Sequence, residues 1–255
     1  MIFDLVPGDR RSPVILHVPH ASRALTPAAR RGLLPDDAVL ADELDHLTDA
    51  YTDLIARRAA GLAAVRPWIF ENRYSRLVAD PERFPDDREE MRAAGMGAVY
   101  THGYAGRRLR DDDPLRDEEL LETHYRPYAA AMTGLVAGRL AGTGRAIILD
   151  VHSYPSVALP YELHGDGPRP AICLGTDDFH TPAALVEPAF AGFDRGFDTP
   201  FAGCYVPMSY HRREPAVTGL MIEIRRDTYM AEPGGRPTAG LDRVAGALAG
   251  LIDAC

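Results

Sequence analysis

The stretch 146–154, AIILDVHSY, constrains this chain more than any other. Its opening run Ala146-Ile147-Ile148-Leu149 is apolar on both sides of an extended ribbon, as befits a strand covered on both faces in the middle of a parallel sheet. A strand of that kind needs helices on either side, and the rest of the chain supplies them. Residues 14–18 (VILHV) follow Pro13 as a second short β-branched strand. Residues 171–174 and 219–224 read as two more. Thr26-Pro27 has the form of an N-cap followed by proline at the first helical position. Leu40, Leu44, Leu47, Tyr51, Leu54 and Ile55 recur at three-to-four spacing and predict one long helix over 36–60, closed by Gly61. Residues 114–140 and 241–252 are helical by the same criterion. The apolar run 63–70 contains Pro67, which predicts an edge strand. Residues 73–106, rich in Arg, Asp, Pro and Gly, are expected to form long ordered loops near a functional site. Strands alternating with helices define an α/β layered sheet, expected as one domain over residues 1–255.

Several function classes fall away on composition. The 28 basic residues are all arginine and face 37 acids, for a formal net charge of −9. Nucleic-acid affinity needs clustered cations, so no such partner is expected. Cys173, Cys204 and Cys255 are odd in number and form no CxxC pair, which predicts reduced thiols rather than disulfides or a thiolate zinc site. No window approaches the ~18 apolar residues that span a bilayer. Residues 1–11 lack the apolar core of a secretory signal. A cytoplasmic location without membrane contact is the expectation.

Three strands end in polar side chains able to bind metal or move protons. The first delivers His17-Val18-Pro19-His20, the second Asp150-Val151-His152-Ser153, the third Glu223 followed by Arg225 and Arg226. In open α/β sheets, ligands bind in the crevice beyond the strand carboxyl ends. A single histidine after a strand is usually an ordinary hydrogen-bonded residue; the conjunction carries the weight. Asp150 two residues before His152 can orient that imidazole from behind. Two histidines and one carboxylate form the usual open catalytic zinc set. The identity of the acid stays open on spacing alone, because the 36–60 segment offers Asp42, Glu43, Asp45, Asp49 and Asp53, and His46 besides. Other features weigh less. Ser153 lacks a G-x-S-x-G elbow, Cys204 sits in an apolar packing run, and Gly95-Met96-Gly97 is too short for a nucleotide loop. His180, His211 and the run Asp111-Asp112-Asp113 read as solvated loop residues.

Taken in order, residues 14–22 (VILHVPHAS), 47–54 (LTDAYTDL), 75–87 (SRLVADPERFPDD), 149–153 (LDVHS), 159–162 (LPYE), 173–182 (CLGTDDFHTP), 200–203 (PFAG) and 221–230 (MIEIRRDTYM) resemble the N-formylglutamate amidohydrolase family over nearly the whole chain. The resemblance implies a three-layer α/β/α fold with a mixed, mostly parallel central sheet, of the zinc-carboxypeptidase-like kind. It implies metal ligands at His20, Asp49 and His152 and a catalytic carboxylate at Glu223. Arg76, Arg83 and Arg226 fall where substrate carboxylates are held. The implied cofactor is zinc, with manganese, cobalt and iron also suited to such ligands. The implied reaction hydrolyses a small-molecule acyl amino acid, N-formyl-L-glutamate, to formate and glutamate. Ala50 and Tyr51 stand where the histidine-degradation branch carries Trp and His. That departure keeps two alternatives: an amidase for another N-acyl amino acid or small peptide, and a non-catalytic metal-binding protein on the same fold.

Overall fold

The chain alternates between extended and helical segments in a computed structural model that describes residues 1–163 and 165–255. Its elements run β1 (Phe3–Val6), β2 (Val14–Val18), α1 (Pro27–Arg31), α2 (Asp37–Leu47), α3 (Thr52–Leu62) and β3 (Trp68–Asn72). Long loops with one short 3-10 turn follow, then α4 (Pro114–Leu120), α5 (Arg126–Thr143), β4 (Ala146–Tyr154) and β5 (Ile172–Gly175). The last are α6 (Ala183–Val186), β6 (Arg195–Phe197), β7 (Val217–Arg225) and α7 (Gly240–Ala254). Among the described residues the strands form one sheet, ordered β1-β3-β2-β4-β7-β5-β6. β3, β2, β4 and β7 are mutually parallel, β1 and β5 join antiparallel to β3 and β7, and β6 runs parallel to β5. The sheet is therefore mixed and mostly parallel.

Alternation along each strand divides the core in two. Val14, Leu16 and Val18 of β2, Ile147, Leu149 and Val151 of β4, and Leu220, Ile222 and Ile224 of β7 face one side. There they pack with Ile55, Ala56 and Ala59 of α3 and Val244 and Leu248 of α7. Ile15, Phe70, Ile148 and Val217 face the other side and meet Tyr128, Met132 and Val136 of α5. Each fully buried Ile or Leu contributes ~1.5–3 kcal/mol of transfer free energy, so β4, buried along its whole length, anchors both layers. The same alternation sends His17, Asp150, His152 and Glu223 to the α5 side. Register sets them side by side, His17 opposite Asp150 and His152 opposite Glu223.

Three sequence expectations change. The helix over 36–60 is two helices, because the chain leaves α2 at Thr48, which is extended at ψ 133°, and turns through Tyr51 at φ 68° before α3 begins. The leucine spacing ran on because both helices are amphipathic, yet they bury against different clusters: Leu40, Leu44 and Leu47 against Leu77, Met96 and Tyr100, and Ile55 against the sheet. The strand after Pro67 is not at the edge. Proline lies just outside β3, and residues 3–6, unread as a strand, pair antiparallel along it. β4 also runs past its apolar core, so His152 sits inside the strand rather than beyond it, while Glu223 lies inside β7 as the 219–224 reading has it. The helical reading of 114–140 holds, α4 and α5 running on from one another through a π-turn at Leu121–Tyr125 just before Pro127. Thr26 caps α1 as expected, its side chain accepting from the Ala29 N–H.

Candidate metal centre and its cavity

His20 follows β2, Asp49 occupies the break between α2 and α3, and His152 lies near the end of β4. The break is pinned to the strand loop by the Asp49 N–H donating to the His20 carbonyl at 3.0 Å, while the Thr52 hydroxyl donates to the Asp49 carbonyl at 2.8 Å. The three side chains then converge. His20 Nδ1 and His152 Nδ1 are 3.3 Å apart, and Asp49 Oδ2 is 3.1 Å from the second and 3.6 Å from the first. Ligands bound at about 2.0–2.1 Å to a tetrahedral zinc lie about 3.3–3.4 Å from one another. The observed triangle is of that size. All three residues are buried, at 5%, 3% and 3% exposure.

The far side of each imidazole meets an acid. His20 Nε2 donates to Asp80 Oδ1 at 2.8 Å, and the Tyr100 hydroxyl donates to Asp80 Oδ2 at 2.9 Å. His152 Nε2 lies 3.0 Å from Asp150 Oδ1 and 3.1 Å from Glu82 Oε2, both off-axis for a hydrogen bond. Carboxylates behind metal-binding histidines fix ring orientation and raise basicity. Burial works against charging these imidazoles, but Asp80 and Asp49 raise His20, and Asp150 and Glu82 raise His152 well above the ordinary value. Asp49 is held well below the usual carboxylate range despite burial, by Arg76 and by both imidazoles. A field that draws positive charge between two Nδ1 atoms favours a divalent cation there, and the donor set fits one.

Glu223 stands next to His152 across the β4–β7 ladder. Burial pushes its carboxyl up to about 7 against the pull of His152, with Asp49 adding to the rise. Its Oε2 has no hydrogen-bond partner among the described residues. A buried carboxyl poised between charged and neutral forms is suited to proton transfer. It opens onto a cavity of about 250 Å³, small for a ligand pocket, whose wall also includes Arg76, Arg83 and Arg226.

The arginines differ in their commitments. Arg226 donates through Nε to the Ser153 hydroxyl, through Nη1 to the His46 carbonyl, and through Nη2 to Asp49 Oδ1 and the Ser153 carbonyl. Arg76 Nη2 lies 3.5 Å from Asp49 Oδ2, not against Asp80 or Asp86, and its Nε has no partner among the described residues. Arg83 reaches Glu89 at 3.4 Å and Asp80 at 3.8 Å and is about a quarter exposed. His180, expected in solvent, is buried and structural: Nδ1 donates to the Val217 carbonyl, and Nε2 accepts from the Arg212 N–H. Cys204 is mostly buried and its thiol is pushed up to about 12 by burial, far from a thiolate nucleophile. Glu82 and Asp80 are members of this cluster that the sequence reading does not single out. Asp80 and Glu82 share the ADPER run with Arg83, inside the 75–87 segment that carries part of the family resemblance, and that density of charge next to a proline is the local signal there.

The family model for N-formylglutamate amidohydrolase matches residues 12–230. The N-formylglutamate deformylase of Pseudomonas aeruginosa is 28% identical over 237 residues, covering 87% of this chain and 84% of that protein. The N-formylglutamate deformylase of Pseudomonas putida is 26% identical over 243 residues, with coverage of 87% and 83%. Among solved structures, an N-formylglutamate amidohydrolase from Ralstonia eutropha superposes at a TM-score of 0.82 and 21% identity, over 99% of this chain and 96% of that one. A gene product from Agrobacterium tumefaciens gives 0.70 at 19% identity, over 98% and 93%. The structural matches speak for the fold, and the sequence match covers every strand and loop that contributes to the cluster. This chain belongs to the N-formylglutamate amidohydrolase family.

Proposed function

We propose that this protein is a metal-dependent hydrolase that cleaves N-formyl-L-glutamate to formate and L-glutamate. The observation that carries the reading is the convergence of His20, Asp49 and His152 on one triangle, beside the unpartnered Glu223 carboxylate. Relatives named for that deformylation support the substrate. His20 Nδ1, Asp49 Oδ2 and His152 Nδ1 would hold the ion, zinc being the best match to two nitrogens and one carboxylate. Such an ion supplies a Lewis acid and a bound water acidified toward ~7. Glu223 accepts the attacking water's proton on Oε2 and delivers it to the departing amine nitrogen. Arg76, through its free Nε edge, and Arg83 take the two substrate carboxylates, where a planar fork gives orientation that a point charge does not. Arg226, its donors already given to protein acceptors, serves the site by holding Asp49.

Metal-loaded protein is expected to release formate from N-formyl-L-glutamate, and Glu223→Gln to lower kcat by ~10²–10⁴-fold while retaining metal. Wild type that binds metal but releases no formate would remove this substrate. Activity that survives exhaustive chelation would remove the metal mechanism.

A further inference from the structure

Behind the His20–Asp49–His152 triangle lies a second cluster, made by His17, Glu82 and Asp150. His17 Nδ1 is 2.9 Å from Asp150 Oδ1 and 3.4 Å from Glu82 Oε1. His17 is fully buried in β2, and its Nε2 lies 2.7 Å from the Tyr128 hydroxyl. Nδ1 donates to Asp150 Oδ1; with the proton carried on Nε2 and given to the Tyr128 oxygen instead, the same Nδ1 would offer its lone pair to a cation between the carboxylates. This repeats the arrangement of a ligand histidine whose outer nitrogen is held by a protein group.

Two further observations converge on the same gap. Glu82 Oε1 and His152 Nε2 are both buried polar atoms without an aligned partner among the described residues. Leaving such groups unmatched is unfavourable. Charge pairing is also uneven. Asp49 is met by Arg76 and Arg226 and Asp80 by Arg83, whereas the ion pairs of Glu82 and Asp150 are with imidazoles alone among the described residues. Asp150, which is buried, and Glu82, whose side chain is 15% exposed, are thus two carboxylates that no arginine meets among the described residues. Glu82 also divides its oxygens, Oε1 toward His17 and Oε2 toward His152 Nε2 at 3.1 Å and His20 Nδ1 at 3.6 Å. A carboxylate shared in this way can span two ions, as in two-metal hydrolytic sites.

We propose that His17, Asp150 and Glu82 form a second divalent-cation site, with Glu82 bridging it to the first. The second position rests on the reading of the first, and its mixed nitrogen and oxygen donors suit Zn²⁺ or Mn²⁺.

The test is metal stoichiometry, by elemental analysis and calorimetric titration of the chelator-stripped full chain with Zn²⁺ and, separately, Mn²⁺. Two equivalents are expected for at least one of these ions, falling to one in Glu82→Gln and in His17→Gln. Asp49→Asn is expected to lose the other equivalent. Thermal melts of each variant verify folding. Because His17 is fully buried, the wild-type count and Glu82→Gln decide the matter if His17→Gln does not fold. One equivalent in saturated wild type, abolished by Asp49→Asn, would overturn the second site and reduce His17 to a positioning partner of Asp150. Zero equivalents would overturn the first site, and the proposed function with it.

Discussion

Asp80 is wholly buried, yet it occupies neither metal position in the proposed arrangement. One oxygen accepts from His20 Nε2, the other from the Tyr100 hydroxyl, and the Glu82 N–H adds a third donor at 3.1 Å. Burial works to raise its carboxyl, but the charge and hydrogen bond of His20, with the charges of Arg76 and Arg83, hold it far below the ordinary range. A permanently charged acid behind His20 fixes the tautomer that presents Nδ1 to the ion. Removing that charge is expected to weaken metal binding more than it weakens the fold. Asp80→Asn should lower zinc affinity by ~10–100-fold in chelator competition. An affinity within twofold of wild type would show that ring packing alone orients His20.

At the level of elements, the break between α2 and α3 decides where the site forms. A continuous helix over 36–60 would carry Asp49 on a regular helical face, without the extended backbone at Thr48 that lets its N–H reach the His20 carbonyl. Arg226 ties the break down, joining the end of α2 at His46, Asp49 within the break, and Ser153 on β4. Lysine cannot reproduce a fork that serves acceptors on both sides of one plane. Arg226→Lys is therefore expected to cost about 2–3 kcal/mol in urea unfolding, as two backbone carbonyls and Ser153 lose a charged donor. A loss below about 0.5 kcal/mol would mean that packing of Tyr51 and Leu47 holds the break unaided. Local pattern made β2, β4, β7 and the family of α/β layers readable, because their apolar runs report burial directly. It misplaced the helix break and β1 because those depend on distant partners. The Asp49 N–H answers a carbonyl in the strand loop, and β1 is extended because β3 offers it an edge. Glu82 escaped notice for the same reason, since nothing within the ADPER run reveals that three imidazoles surround it.

On the scale of the whole molecule, the proposed ligands come from three chain segments that only the folded sheet brings together. β2 and β4 are neighbours in the ladder, and α3, which follows the Asp49 break, packs on the same face as α7. The unfolded chain has no preformed triangle, so a metal binds the native state almost exclusively. At a free concentration of 100 times its Kd, one such ion adds about 2.7 kcal/mol to the unfolding free energy. Since β4 is shared by both core layers, that increment has no smaller unit in which to act. Zinc is expected to move the entire transition, with far-UV and near-UV circular dichroism shifting together to higher urea and chelation returning both to the same lower midpoint. Two resolved transitions, of which zinc moves only one, would mean that the α5 layer and the α3–α7 layer unfold independently. The 255 residues would then behave as two cooperative units, and the shared strand would not couple them.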